Sequence, residues 1–384
     1  MLLRLSIAQM LFNSIFLFSN LFINTYLFRL NASEKLVAMF NIFMYGSWLT
    51  FFIVGYMLCG RNSRAGIAIS GLAALIGTVS LLAGFDSALL VGLCIGASGG
   101  FFWSSYLAIY RTLGSRIEEG STFARTAILG SLPSVFMPLL LGLIVEGRGY
   151  TTAFVCLTLL ALALFAMSFL LPNIEVEKVR ISPGVLRHHR FNGSLALQGC
   201  FSCFVNVAAG LLVFMSGEGE ARVGLLATIY GLLTVAVNIL IGFTIPNRFY
   251  RLLLLLGALG FFLSSFIFLT DWPSRVIAFN FLIAAAGPLF NNSLVGMHFG
   301  YMNIAYRSGP EGLIAREMGL TVGRMMFFGY MSIMGLQVGS GQFYAFLFTI
   351  SVFPLIVFGL TNSLDRNPVK PVRVGEEKKG GVAT

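Results

Sequence analysis

Apolar runs of about twenty residues recur along the chain and are separated by short polar breaks. A run of that length matches one helix crossing the hydrocarbon core of a bilayer. The pattern predicts twelve spans, near 5–28, 36–58, 65–84, 88–110, 124–145, 151–171, 194–215, 223–245, 252–269, 276–299, 313–336 and 343–360. The first run begins behind Arg4 and, at roughly 24 residues, exceeds a signal-peptide core. The longest break, 172–193, carries Glu175, Glu177, Lys178, Arg180, Arg187, His188, His189 and Arg190. It divides the spans six and six. The expected fold class is therefore an all-α membrane protein built as two pseudo-symmetric six-helix bundles, 1–171 and 194–362. A cytoplasmic linker over 172–193 joins them, and a disordered cytoplasmic tail is expected over 363–384, where apolar residues give way to Gly, Glu and Lys.

Composition sharpens this. Of 384 residues, 57% are hydrophobic, 14% aromatic and 10% charged, and the mean hydropathy is +0.87. Soluble domains carry roughly a quarter charged residues, so a soluble enzyme is excluded as a class. The net charge of +10 invites a nucleic-acid reading, but the distribution of the cations argues otherwise. Nineteen of the 25 Lys and Arg fall at the N-terminus, the even-numbered connections and the tail. Cytoplasmic loops retain positive charge, so both termini are expected in the cytoplasm of a cell bounded by this membrane, with the bilayer and not nucleic acid as partner. The five cysteines lie in or beside apolar stretches, which suggests packing and no disulfide framework. No carboxylate pair, zinc helix, nucleophile elbow or phosphate loop occurs, so neither catalysis, a metal nor a cofactor is expected. The chain is expected to work as a monomer on a small-molecule substrate.

The two halves look like copies. The connection after the second span has Gly55, Arg61 and Arg64, and the one after the eighth has Gly242, Arg248 and Arg251 at the same spacings. The same offset carries Gly100 onto Gly287. With six spans in each half, the chain resembles the major facilitator superfamily, whose halves are related by an axis along the membrane normal. In that family the loop after the second helix carries Gly, an acid and basic residues. Here Gly55, Arg61 and Arg64 are kept as candidate gating positions, and Cys59 stands at the place of the acid. Of the antiporter element in the fifth helix, only Pro138 and Gly142 are kept. The basic residue that many proton-coupled drug exporters carry in the fourth helix is absent from 92–100.

The resemblance implies that the first, fourth, seventh and tenth spans line a central pathway. Each has a polar or aromatic stripe: Asn13, Asn20 and Asn24; Gly99, Trp103, Tyr106 and Tyr110; Gln198, Ser202 and Asn206; Asn280, Gly287, Asn291 and His298. Polar side chains are penalised against lipid and accepted against water. Candidate substrate contacts are therefore Asn20, Trp103, Tyr106, Gln198, Asn206 and Asn291, with helix-to-helix hydrogen bonding the equally open alternative for each amide. Tyr110 and His298 also suit anchoring at the membrane interface, and His298 is the one histidine within a span and so a candidate for proton coupling.

Arg324 completes the candidate set. It lies about 16 Å of helical rise from the cytoplasmic end of the eleventh span, and no acid occupies the middle of any predicted span. A guanidinium without a fixed counter-ion suits an arriving carboxylate or phosphate, with backbone carbonyls, Gln337 or an aromatic face as alternative partners. The expected function is secondary transport of a small organic solute, with an anion among the options, by alternating access. A lipid, amphiphile or drug exporter is the alternative, and a non-transporting membrane sensor or partner is the second.

Overall fold

The structure, a computed structural model, describes residues 2–31, 33–58, 62–85, 87–114, 119–173, 188–216, 219–244, 249–306, 308–334 and 340–366. Among these residues there are helices and no strands. In lipid every backbone N–H and C=O must be satisfied within the segment, and a helix does this for each run separately. Helix α1 comprises Leu2–Phe18, a π-helical turn at Ser19–Ile23, and Asn24–Asn31. It is followed by α2 (Glu34–Leu58), α3 (Ser63–Leu82), α4 (Ala88–Gly114) and α5 (Glu119–Ser168). Helix α6 comprises His189–Cys203, a second π-helical turn at Phe204–Ala208, and Ala209–Met215. Then come α7 (Glu220–Thr244), α8 (Tyr250–Ser264, tightening to a 3-10 turn at Ser265–Leu269), α9 (Arg275–Ala305), α10 (Gly309–Met334) and α11 (Gly341–Arg366). Among the described residues ten helices are long and apolar enough to cross a membrane, and the protein is an integral membrane protein.

The boundaries differ from the sequence pattern at informative places. Two expected spans, 124–145 and 151–171, run together as α5, broken only at Gly149, whose φ of 79° lies in the left-handed region that glycine enters without strain. Helix α6 starts at His189, inside the expected linker, because 189–193 joins the apolar face that begins at Phe191. Helix α11 continues to Arg366, past the expected end of the second bundle at 362, since Leu364 is still buried. The remaining linker and tail expectations fall on 174–187 and 367–384, outside the described residues. Helix α10 carries Glu311, Arg316, Glu317 and Arg324, and these charges separate it from the ten apolar helices.

Small residues set the closest helix contacts. A Cβ on Gly96 would strike the Met44 carbonyl, and one on Gly100 the Trp48 carbonyl and Phe52 amide, so α4 lies directly on the backbone of α2. Likewise Gly199 of α6 meets the Leu320 carbonyl, and Gly323 of α10 meets the Ala196 carbonyl. Association in lipid rests on such packing, since there is little hydrophobic drive between helices. The first part of the chain packs α2 on α4, α1 on α5, and α3 on α4 and α5; the second packs α6 on α10 and α11, α8 on α9 and α11, and α7 on α9. Across the two parts, α2 packs on α10 and α5 on α7.

Candidate functional site

A cavity of about 320 Å³ opens between α6, α7 and α9. That is the low end of the range for small-molecule sites. Its wall carries Asn206 from α6, Tyr230, Thr234 and Asn238 from α7, and Asn280, Asn291 and Asn292 from α9. No acidic or basic residue is in the described lining.

The polar groups of this wall divide by what they bond. The Tyr230 hydroxyl donates to the Ile277 carbonyl at 3.2 Å and the Thr234 hydroxyl to the Ala284 carbonyl at 3.2 Å, so both tie α7 to α9. Asn280 donates to the Val276 carbonyl at 2.9 Å and Asn292 to the Asn238 side-chain oxygen at 2.7 Å. Asn206 and Asn291 are exposed to the cavity, and among the described residues no hydrogen bond occupies their carboxamides. Each offers one acceptor oxygen and two donor hydrogens.

Of the sequence candidates, Asn206 and Asn291 thus share one wall, together with Asn280 and Gly287 of the expected stripe on α9. The others lie elsewhere. Trp103 packs edge-on against Phe12 at 6.2 Å and Tyr106 at 5.4 Å, within an aromatic cluster that includes Trp48 and Phe102. The Tyr106 hydroxyl donates to the Gln9 side chain at 2.9 Å. Gln198 is buried with its side-chain oxygen unpartnered, and so is the side-chain oxygen of Asn20. Asn24 and Asn41 take the helix-tying role, bonded side chain to side chain at 2.8 Å. His298 is 1% exposed, shares a 3.1 Å hydrogen bond with the Ser194 hydroxyl, and is absent from the cavity wall.

Among the loop positions, Gly55 lets α2 approach Ser104 of α4, and Arg64 sits over the Phe169 ring at 5.2 Å. Arg251 is exposed at the start of α8, and Gly242 lies in the last turn of α7. Arg61 and Arg248 fall outside the described residues, as does Gln337, and the side chain of Tyr110 is likewise outside them.

Arg324 corrects the sequence reading. Its guanidinium lies 2.6 Å from the Glu317 carboxylate, two turns earlier on α10, and 4.8 Å from the centre of the Tyr45 ring on α2. The expectation of no internal acid came from starting the eleventh span at Leu313, which made Glu317 a helix-end residue. The helix begins at Gly309, so Glu317 stands in its third turn with its side chain 9% exposed. Tyr230, Thr234 and Asn238 were missed, although their four-residue spacing marks one face of an otherwise apolar run.

A second constellation lies where α1 ends and α7 begins. Arg29 and Glu220 pair at 2.6 Å, and the Tyr150 hydroxyl donates to the same Glu220 oxygen at 3.3 Å. The Glu146 carboxylate accepts from the Ala221 backbone N–H at 2.8 Å, where the partial positive charge of the α7 N-terminus favours an anion. Residues from both parts of the chain are thereby fastened at one face of the membrane domain.

The solved D-xylose-proton symporter superposes with a TM-score of 0.68 at 14% identity, covering 94% of this chain and 95% of that one. The nucleoside transporter NupG gives 0.69 at 13% identity over 95% and 99%, and a proton-dependent oligopeptide transporter 0.69 at 10% over 94% and 99%. No family model and no curated protein matches the sequence. The chain shares the fold of these solved secondary transporters.

Proposed function

We propose that this protein is a twelve-span secondary transporter of two six-helix bundles, counting the two arms of α5 and the charged α10 as spans, and that it moves a small, uncharged, hydrogen-bonding solute. The observation that carries the solute class is the pair of unoccupied carboxamides, Asn206 and Asn291, on a wall without charge. An amide that both donates and accepts matches a hydroxyl or another amide, and a buried polar group left unpaired discriminates strongly against solutes that lack one. A lipid or amphiphile is a poorer match to such a wall. The anionic reading loses its main support, because the Arg324 guanidinium is already met by Glu317. The fastened face at Arg29 and Glu220 describes one end of an alternating-access cycle, closed there.

The test is counterflow in proteoliposomes loaded with D-xylose, uridine, a dipeptide or a dicarboxylate. Exchange of xylose or uridine that is lost in Asn206→Ala and in Asn291→Ala supports the reading. Exchange of the dicarboxylate alone, unaffected by those two substitutions, overturns it.

A further inference from the structure

The helices α1 and α6 share an irregularity that their sequences do not announce. Each is α-helical, then π-helical for five residues, then α-helical again, at Ser19–Ile23 and Phe204–Ala208. These turns correspond in the internal repeat, with an offset of 185 (19 to 204) against 187 for the Gly55 and Gly242 connections. They hold the candidate amides Asn20 and Asn206 and pack against each other. A π turn is one residue wider than the α-helix around it, is unfavourable in isolation, and recurs at functional sites.

What lies on either side of the second turn differs in its partners. The body of α6, 189–203, is locked to α10 by the backbone contacts of Gly199 with Leu320 and of Gly323 with Ala196. The tip, 209–215, touches the first part of the chain: Gly210 lies beside Leu21, and Phe214 meets Phe28 edge-on at 6.3 Å. The tip of α1 carries in its last turn Arg29, which holds Glu220. Both π turns therefore join a packed helix body to a tip that forms the closed face.

From this geometry we infer that the paired π turns are the joints through which solute at Asn206 is coupled to opening of the closed face. The inference rests on the transporter reading and deepens it. The extra residue lets the tip of α6 slip by one position on its locked body, a rotation of about 100° and a rise of about 1.5 Å. Such a slip carries Gly210 and Phe214 off Leu21 and Phe28, and it turns Asn206, which lies within the joint, relative to Asn291 across the cavity. Solute bridging the two amides holds one register. The unpartnered oxygen of Asn20 marks the matching joint in α1, where a change of register would give it a new partner.

The test removes the extra residue of the joint at Val207, a position buried in the core. Deleting Val207 returns 204–208 to an α turn and leaves the faces of body and tip in phase. Spin labels are placed at the exposed positions Arg148 and Asp271, one on each part of the chain at the closed face, and their separation is measured by pulsed electron resonance in lipid nanodiscs without solute. The expected result is two separations in the parent chain and the short one alone in the deletion. Two separations that persist in the deletion overturn the joint. A single separation in the parent overturns the alternating-access reading beneath it, so the two failures are distinct. A second measurement needs no variant: backbone hydrogen exchange over 204–212 at least tenfold faster than over 192–200 supports the joint, and equal protection overturns it.

Discussion

Arg324 and Glu317 form an ion pair of 2.6 Å along one helix, at a depth where neither side chain is more than 15% exposed. Tyr45 caps the pair from α2, its ring 4.8 Å from the guanidinium carbon. The charge is therefore compensated within the protein. Breaking a buried pair by removing one member costs about 3–5 kcal/mol, because the other charge is left stranded. Glu317→Gln and Arg324→Gln are each expected to lower the unfolding midpoint markedly. The double variant is expected to regain most of the loss, since no charge remains buried. Thermal unfolding of the three purified variants reads this directly, and equal losses in all three would contradict it.

Asn206 and Asn291 call for the opposite pattern. Neither is engaged within the protein, so Asn206→Ala and Asn291→Ala are expected to change stability by less than about 0.5 kcal/mol while weakening solute exchange at least tenfold. Asn41→Ala serves as the contrast: it removes the 2.8 Å bond to Asn24 and is expected to cost about 0.6–1.7 kcal/mol. Its midpoint should fall more than those of the cavity variants.

The extent to which this was legible in the sequence follows the length of the signal. Helix positions came from runs of about twenty residues; the structure moved their ends by up to six residues, merged two of the runs in α5, and moved the start of α10 by four. That small shift mattered at α10, where a start at Gly309 instead of Leu313 turned Glu317 from a boundary acid into the partner of Arg324. The polar stripe of α9 was readable because Asn280, Gly287 and Asn291 interrupt an apolar run with helical spacing, and all three reached the cavity. Trp103 and Tyr106 had the same spacing but large apolar rings, and they fill space against Phe12 and Phe102. The π turns have no compositional mark. One residue of extra width changes the phase of everything beyond it, and only the backbone shows it.

Glycine contacts separate packing from exposure. Gly323→Ala is expected to push α10 from α6, since the added Cβ meets the Ala196 carbonyl and backbone cannot yield as a flexible side chain can. Gly329→Ala, on the same helix with nothing within 4 Å of the added Cβ, is expected to be neutral or slightly stabilising through better helix propensity. Yield of folded protein and unfolding midpoint should fall sharply for the first and hold for the second.

The fastened face offers a graded prediction. Glu220 receives two groups, the Arg29 guanidinium and the Tyr150 hydroxyl, whereas Arg29 is 62% exposed and, among the described residues, pairs with this one acid. An exposed arginine contributes little to overall stability because water and salt screen it, so Arg29→Gln is expected to leave the unfolding midpoint nearly unchanged. Its effect should appear in the balance between states. Glu220→Gln loses the charge that both partners address and should open the face further than Arg29→Gln, with Tyr150→Phe smaller than either. The order can be read from the fraction of long separation between labels at 148 and 271 at low ionic strength. Raising the salt should narrow the gap between the parent and Arg29→Gln, because screening weakens the same attraction that the substitution removes. An unchanged gap in high salt would assign the closure to the contact of Phe28 with Phe214 and the backbone contact of Gly142 with Glu220, and would remove the ion pair from the account.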